Sequence, residues 1–169
     1  MARKRKLQKQ TLLLVGEGET EKAFLQHLYT LYSTGALKIK IKSAGGKGPK
    51  NVINDAIGTL KNTDYDTTAV LLDTDLAWPP ALVKAATSQR IKLLGANPCL
   101  EGLLLSILKH KKPTPCNNQT CKKTLHPLLS GKATDKASYT LLFNKDLLDK
   151  AVDYCHELKI LVALIKGEF

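Results

Sequence analysis

The chain has 169 residues, 43% of them hydrophobic, which is enough for one domain with a substantial core. It contains 26 Lys and Arg against 15 Asp and Glu, and a net charge of +11 favours a polyanionic partner such as nucleic acid. No apolar run approaches the roughly 20 residues that cross a bilayer, which argues against a membrane-spanning protein.

The N-terminal region predicts a basic arm, a strand and a helix. Residues 1–10 are almost all polar or basic, and we expect them to be a disordered arm. The strand Thr11–Val15 is followed by a glycine-containing turn and a helix over Glu19–Leu31. Glu21 projects onto the apolar face of that helix, where a carboxylate is unexpected and needs a partner. The apolar run of the strand is too short for a signal peptide, so we expect a cytoplasmic location.

A second strand and helix follow. Leu37–Lys42 alternates apolar and basic residues, which predicts a half-buried strand. The loop Ala44–Lys50 is rich in glycine and lysine but lacks the spacing of a phosphate-binding loop. We interpret Lys47 and Lys50 as contacts to nucleic acid. The apolar residues between Val52 and Leu60 then predict an amphipathic helix.

The third and fourth strands are short apolar runs, Ala69–Leu72 and Ile91–Leu94, separated by a helix that ends near Ser88. Asp73 and Asp75 directly follow the third strand. After the fourth, Asn97-Pro98 predicts a helix start, with the asparagine as N-cap and proline as the first helical residue. Glu101 borders the apolar face of that helix.

The alternation of strands and helices predicts an α/β fold with a parallel sheet of about four strands flanked by helices. We expect one domain over residues 11–169, with its core in 11–110 and a helical extension in 111–169. In the extension, a polar loop (111–124) precedes a short helical piece (125–129), a basic turn (130–136) and helices near 138–143 and 145–158. Residues 160–165 fit either a helix or a strand.

Carboxylates follow or border several of these elements. Functional groups collect at the carboxyl ends of parallel strands, and residues two apart on a strand point the same way. We therefore expect one acidic cluster, in which repulsion among the acids calls for a cation. Oxygen ligands of this type suit Mg²⁺ or Mn²⁺. The expected metal ligands are Glu17, Glu21, Asp73, Asp75 and Glu101.

Three segments resemble a known family. The strand followed by Glu17-Gly18-x-Thr20-Glu21, and the later Asp73-x-Asp75 strand end, resemble the TOPRIM domain shared by topoisomerases, bacterial primases and OLD-type nucleases. The segment 97–105, Asn-Pro-Cys-Leu-Glu-Gly-Leu-Leu-Leu, is similar to the Asn-Pro-x-Phe/Leu-Glu helix of the RloB-like branch. The resemblance covers residues 11–110 clearly and the rest loosely.

The resemblance implies a Mg²⁺-dependent nuclease acting on DNA or RNA, with a role in phage defence. Glu17 would be a metal ligand or the general acid/base, Asp73 and Asp75 would hold Mg²⁺, and Glu21 and Glu101 would complete a second metal position. OLD-type enzymes also use a late lysine at the phosphate. Lys132 is the candidate for that role, with Lys136 as a further nucleic-acid contact. OLD-type domains are often fused to an ATPase, so an ATPase is an expected type of protein partner.

A second metal site is an alternative interpretation of the polar segment. His110, Cys116, Cys121 and His126 follow the spacing H-x5-C-x4-C-x4-H, which offers two thiolates and two imidazoles to a zinc ion. The spacing is not a standard one. Unligated, reduced cysteines are the other interpretation, and a disulfide framework is not expected in a reducing compartment.

Two other functions compete with the nuclease. The sequence 71–75, Leu-Leu-Asp-Thr-Asp, also fits a phosphatase with Asp73 as a phosphorylated nucleophile, although such a nucleophile normally follows the first strand. The second hypothesis is a non-catalytic nucleic-acid-binding module, whose acids are structural.

Overall fold

The computed structural model describes residues 8–168, and its centre is a four-stranded, all-parallel sheet in the order β2-β1-β3-β4. The strands are β1 (Thr11–Gly16), β2 (Lys38–Ser43), β3 (Thr67–Asp73) and β4 (Ile91–Ala96). This architecture is consistent with a Rossmann-like α/β fold, and it confirms the predicted parallel sheet flanked by helices.

Seven α-helices within the described residues connect and cover the strands. They are α1 (Glu19–Tyr32), α2 (Gly48–Asn62), α3 (Pro80–Ser88), α4 (Leu100–Ile107), α5 (Asn118–Leu125), α6 (Lys145–Ala151) and α7 (His156–Lys166). Short 3₁₀ turns occupy His126–Leu128 and Lys136–Tyr139. None of the helices within residues 8–168 is both long enough and apolar enough to cross a membrane.

The two central strands are buried on both faces, which explains their continuous apolar sequences. Leu12 and Leu14 of β1 face a large core that contains α1, α4 and the C-terminal helices. Leu13 and Val15 face a smaller core with α2 and α3. At the sheet edge, β2 alternates half-buried isoleucines with lysines, as its sequence predicts.

The predicted start of α4 was wrong. The helix begins at Leu100, and Cys99 rather than Asn97 is its N-cap. The Asn97 Oδ1 atom instead accepts a 3.0 Å hydrogen bond from the Thr74 hydroxyl. The backbone amides of Thr74 and Asp75 both donate to the Pro98 carbonyl at 3.1 Å. The segment before α4 is therefore fixed by the β3–α3 loop and not by the helix.

The C-terminal predictions also needed correction. The expected loop 111–124 contains all but the last residue of α5, whose N-cap Asn117 accepts from the Thr120 amide at 3.0 Å. The expected helix 145–158 is two helices, because the chain leaves helical geometry between Ala151 and His156. Residues 160–165 are helical, and 138–143 contains the end of a 3₁₀ turn and no α-helix.

The predicted N-terminal arm lies mostly outside the described residues. At its described end, the Gln10 carbonyl accepts a 2.8 Å hydrogen bond from the Lys38 amide. Gln10 therefore adjoins the edge strand β2.

Candidate metal centre

Glu17 lies where β1 ends, and it joins the ends of two strands. Its backbone amide donates to the Leu71 carbonyl at 3.0 Å. Its carboxylate Oε2 accepts a 2.7 Å hydrogen bond from the Asp73 amide. The preceding Gly16 allows α1 to start close to the strand, since a Cβ there would lie 2.7 Å from the Glu21 Cβ. The geometry of this turn thus brings the first helical turn onto the carboxyl end of the sheet.

Glu21 is 7% exposed, on the core-facing side of α1. Its Oε2 accepts a 2.8 Å hydrogen bond from the Gly18 amide, so this carboxylate caps its own helix. Burial raises the pKa of Glu21, and the negative charges of Glu101 and Glu17 raise it further. The carboxylate is therefore close to two other acids of the predicted cluster.

Asp73 is the last residue of β3 and carries a strongly perturbed carboxyl group. Burial raises its pKa to about 8, with further contributions from Glu21, Glu17, Asp75 and Glu101 in that order. Its Oδ1 atom is buried and has no hydrogen-bond partner within residues 8–168. A buried carboxylate oxygen without a donor is a costly arrangement, and it indicates a position where a cation or a proton is needed.

Asp75 and Glu101 are hydrogen-bonded by residues of the C-terminal extension. Asp75 is exposed, and its Oδ2 accepts a 3.0 Å hydrogen bond from Asn118 Nδ2 at the start of α5. Glu101 is 2% exposed, and its Oε1 lies 2.8 Å from His126 Nε2. The extension therefore contacts the acidic group directly, through two of its five members.

Among the residues that the structure describes, the five acids have few basic partners. Within the described part of the chain, none of them forms an ion pair with lysine or arginine, and His126 is the sole basic side chain paired with the group. The arrangement fits a divalent cation in two respects: the candidate ligands are all carboxylates, and a buried Asp73 oxygen lacks a donor in the part of the chain that the structure describes.

The acids are not, however, preformed as a coordination shell. No three His, Cys, Asp or Glu side chains of residues 8–168 are grouped closely enough to hold an ion together. Glu17, Glu21 and Glu101 each direct one oxygen at a protein group. Metal binding would therefore require some of these carboxylates to rotate toward the ion.

The predicted basic loop lies beside Glu17. The Ala44 amide donates to the Gly16 carbonyl at 2.9 Å, and the Gly46 amide donates to the Glu17 carbonyl at 2.7 Å. Lys47 has a positive φ of 68° and precedes α2, while Lys50 lies in the first turn of that helix. Both lysines are exposed, so their ammonium groups are accessible beside the acidic end of the sheet.

The other predicted lysines lie elsewhere. Lys132 is exposed in a turn, where its carbonyl accepts from the Asp135 amide at 3.0 Å. Lys136 begins a 3₁₀ turn and lines a shallow cavity with Tyr29 and Ile41, beside α1 and β2. Within residues 8–168, neither side chain forms a hydrogen bond or ion pair with the acids.

The structure does not gather the four residues of the alternative zinc site. The sulfur atoms of Cys116 and Cys121 are 3.7 Å apart. His126 is bound to Glu101, and His110 contacts the carbonyl of the adjacent Lys111 at 2.8 Å. Burial raises the pKa of the Cys121 thiol to about 11, and the neighbouring Cys116 adds to this effect.

Sequence reasoning missed Asn118 and assigned His126 to a different group. The signal that could have found Asn118 is the pattern Asn117-x-x-Thr120, in which each side chain bonds the other's backbone amide at the start of α5. It predicts a helix start inside the supposed loop. The partner of His126 has no comparable signal, because Glu101 is 25 residues away in sequence.

Comparison with known proteins gives no further identification. No protein-family model, curated protein or solved structure matches this chain significantly.

Proposed function

We propose that this protein is a Mg²⁺- or Mn²⁺-dependent phosphodiester hydrolase acting on nucleic acid, of the type that the TOPRIM resemblance implies. The observation that carries the proposal is the environment of Asp73. Its buried Oδ1 atom has no donor among residues 8–168, its pKa is raised to about 8, and four further acids contribute to that rise. Ionising these neighbouring carboxylates costs free energy when no ion is present, and a bound divalent cation would offset that cost.

The five acids lie on or beside different elements of the fold, and their positions suggest which of them would bind the metal and which would transfer a proton. Asp73 ends β3, Asp75 lies two residues after it, and Glu21 and Glu101 lie on α1 and α4. These four would hold the metal together with Glu17. When bound, Mg²⁺ or Mn²⁺ polarises a phosphoryl oxygen and makes a bound water more acidic. Glu17 would act as a ligand or as the group that moves a proton. Its bond to the Asp73 amide keeps its carboxylate beside the end of β3.

The charge distribution supports a polyanionic substrate. The protein has a net charge of +11, although five of its 15 acids belong to this one site. Lys47 and Lys50 are exposed on the loop and helix start that adjoin Glu17, where they can contact phosphates on either side of a reacting group. Such contacts hold the backbone of a nucleic acid without selecting a base sequence, so we propose that the substrate is bound through its phosphates.

A cleavage assay tests the proposal. Single- and double-stranded DNA and RNA are incubated with the full chain in Mg²⁺, Mn²⁺ or EDTA. We expect metal-dependent cleavage of at least one substrate, with a loss of more than about 100-fold in Asp73→Asn. Asp153→Asn is the matched control, because Asp153 is an exposed acid in the turn between α6 and α7. This control should cleave at the wild-type rate.

A non-catalytic nucleic-acid-binding module is the second candidate. The observation in its favour is that Glu17, Glu21 and Glu101 each already have a protein partner, as structural acids do. In that case, the folded protein would bind nucleic acid equally well in Mg²⁺ and in EDTA. It would cleave none of the four substrates, and that result would reject the hydrolase.

A further inference from the structure

Two side chains at the two ends of helix α5 contact acids of the site. Asn118, the first residue of the helix, donates from Nδ2 to Asp75 Oδ2 at 3.0 Å. His126, immediately after the helix, lies with Nε2 2.8 Å from Glu101 Oε1. The helix between them is anchored by the buried side chains of Cys121 and Leu125. One element of the extension thus holds two carboxylates that lie on different parts of the core.

The chemistry of these two contacts suits groups that orient metal-binding carboxylates. A carboxylate that binds an ion through one oxygen is commonly fixed by a hydrogen bond to the other, and loss of such a bond weakens metal binding. Asn118 occupies only Oδ2 of Asp75, and His126 occupies only Oε1 of Glu101. Each contact therefore engages one carboxylate oxygen, and Glu101 has the Cys99 thiol as a further hydrogen-bonding neighbour.

We propose that Asn118 and His126 are positioning residues, which orient Asp75 and Glu101 for a divalent cation, so that α5 completes the site. This inference rests on the proposed function, because it assumes that the acids bind an ion. It adds that the C-terminal extension, and not only the sheet core, determines the affinity for that ion.

A purely structural role for these side chains is disfavoured by their surroundings. The cap of α5 is Asn117, so removal of the Asn118 side chain leaves the helix cap intact. The Asn118 Oδ1 atom is buried and has no partner within residues 8–168, so its removal also removes an unsatisfied acceptor. The His126 side chain is 41% exposed and contributes little to the core. Alanine at either position should therefore leave the protein folded.

Calorimetric titration of the metal-free protein with Mn²⁺ tests the inference, with no substrate present. We expect Asn118→Ala and His126→Ala each to bind Mn²⁺ about 10- to 100-fold more weakly than wild type. His126→Gln should recover much of the affinity, because its amide can donate to Glu101. His110→Ala is the matched control, since His110 is exposed and contacts the carbonyl of its neighbour Lys111, and it should bind as wild type does. Thermal melts in EDTA check that every variant is folded.

The outcomes separate this inference from the proposed function. Wild-type affinity in both alanine variants would overturn the positioning role and leave the metal site in place. Weak binding by His126→Gln, equal to that of His126→Ala, would reject the hydrogen bond as the contribution of His126. An absence of Mn²⁺ binding by the wild-type protein would reject the metal site itself, and the inference with it. If His126→Ala were unfolded, Asn118→Ala and His126→Gln would still decide the question.

Discussion

The Glu17 carboxylate accepts a 2.7 Å hydrogen bond from the backbone amide of Asp73, so that the residue following β1 holds the residue ending β3. The two residues are 56 positions apart in sequence. The same carboxylate contributes to the raised pKa of Asp73. The hydrogen bond from Glu17 therefore stabilises the end of the sheet, whereas the charge of Glu17 makes ionisation of Asp73 more costly when no cation is bound.

The hydrogen bond of Glu17 predicts that the Glu17→Gln and Glu17→Ala proteins will differ in stability. Glu17→Gln keeps an oxygen that can accept from the Asp73 amide, whereas Glu17→Ala leaves that amide without its partner. We expect Glu17→Ala to lose about 1–3 kcal/mol of unfolding free energy and Glu17→Gln to lose less than about 1 kcal/mol. Urea unfolding in EDTA measures both values. Equal stabilities for the two variants would show that the hydrogen bond contributes nothing measurable.

The raised pKa of Asp73 predicts that the metal-free protein becomes less stable as the pH rises. The folded protein binds this proton with a pKa of about 8, whereas an aspartate in an unfolded chain has the ordinary pKa of 3.8. The associated stability is fully present below the lower pKa and is lost as the pH rises from there through about 8. Thermal melts in EDTA at a series of pH values should show this decline. The decline should be shallower in Asp73→Asn, and identical slopes for the two proteins would contradict the assignment.

Two helical glycines differ in the space around them, and we predict opposite effects when each is replaced by alanine. A Cβ at Gly102 would lie 2.6 Å from Pro98 Cδ and would also meet the Asn97 carbonyl. Gly102→Ala should therefore destabilise the protein by about 1–3 kcal/mol. A Cβ at Gly58 in α2 would meet no atom of residues 8–168 within 4 Å apart from the backbone of its own helix, so Gly58→Ala should stabilise by about 0.5–1 kcal/mol. Chemical denaturation of both variants checks the signs, and a neutral Gly102→Ala would contradict the packing described for α4.

The sheet could be predicted from the sequence because its signals are local. The apolar runs of β1 and β3 are bounded by glycine or acids, and β2 alternates isoleucine with lysine, so each strand stands out on its own. The acids at the ends of β1 and β3 follow from the strand boundaries and from the parallel arrangement. The sequence alone is therefore sufficient to bring Glu17 and Asp73 to the same edge of the sheet.

The extension could not be predicted as well, because its helices depend on contacts distant in sequence. α5 buries only Cys121 and Leu125, too few apolar residues to mark a helix within a polar segment. The break between α6 and α7 contains neither proline nor glycine, and it depends on packing instead. The pattern Asn117-x-x-Thr120 marks only the start of α5. The contacts of Asn118 with Asp75 and of His126 with Glu101 span 43 and 25 positions, so no local pattern indicates these pairings.

The surroundings of the four cysteines predict that one thiol reacts much faster than the others. Cys116 is exposed, whereas Cys99, Cys121 and Cys155 are buried and burial raises the pKa of each of these three. Thiolates are the reactive form, so an alkylating reagent such as iodoacetamide at about pH 8 should label one thiol rapidly in the native protein and all four after unfolding. Cys116→Ser should abolish the rapid phase. Rapid labelling of two or more thiols in the native protein would contradict the burial of this region.

Binding of a divalent cation by the acids at the carboxyl end of the sheet can be observed in crystals of this protein soaked in Mn²⁺. Anomalous scattering at the manganese edge would locate the ion. We expect a peak bordered by Asp73 and Asp75, with Glu17, Glu21 or Glu101 completing the coordination, and no such peak in Asp73→Asn crystals. A soaked wild-type crystal with no peak at these residues, or with Mn²⁺ bound only elsewhere, would contradict the metal site.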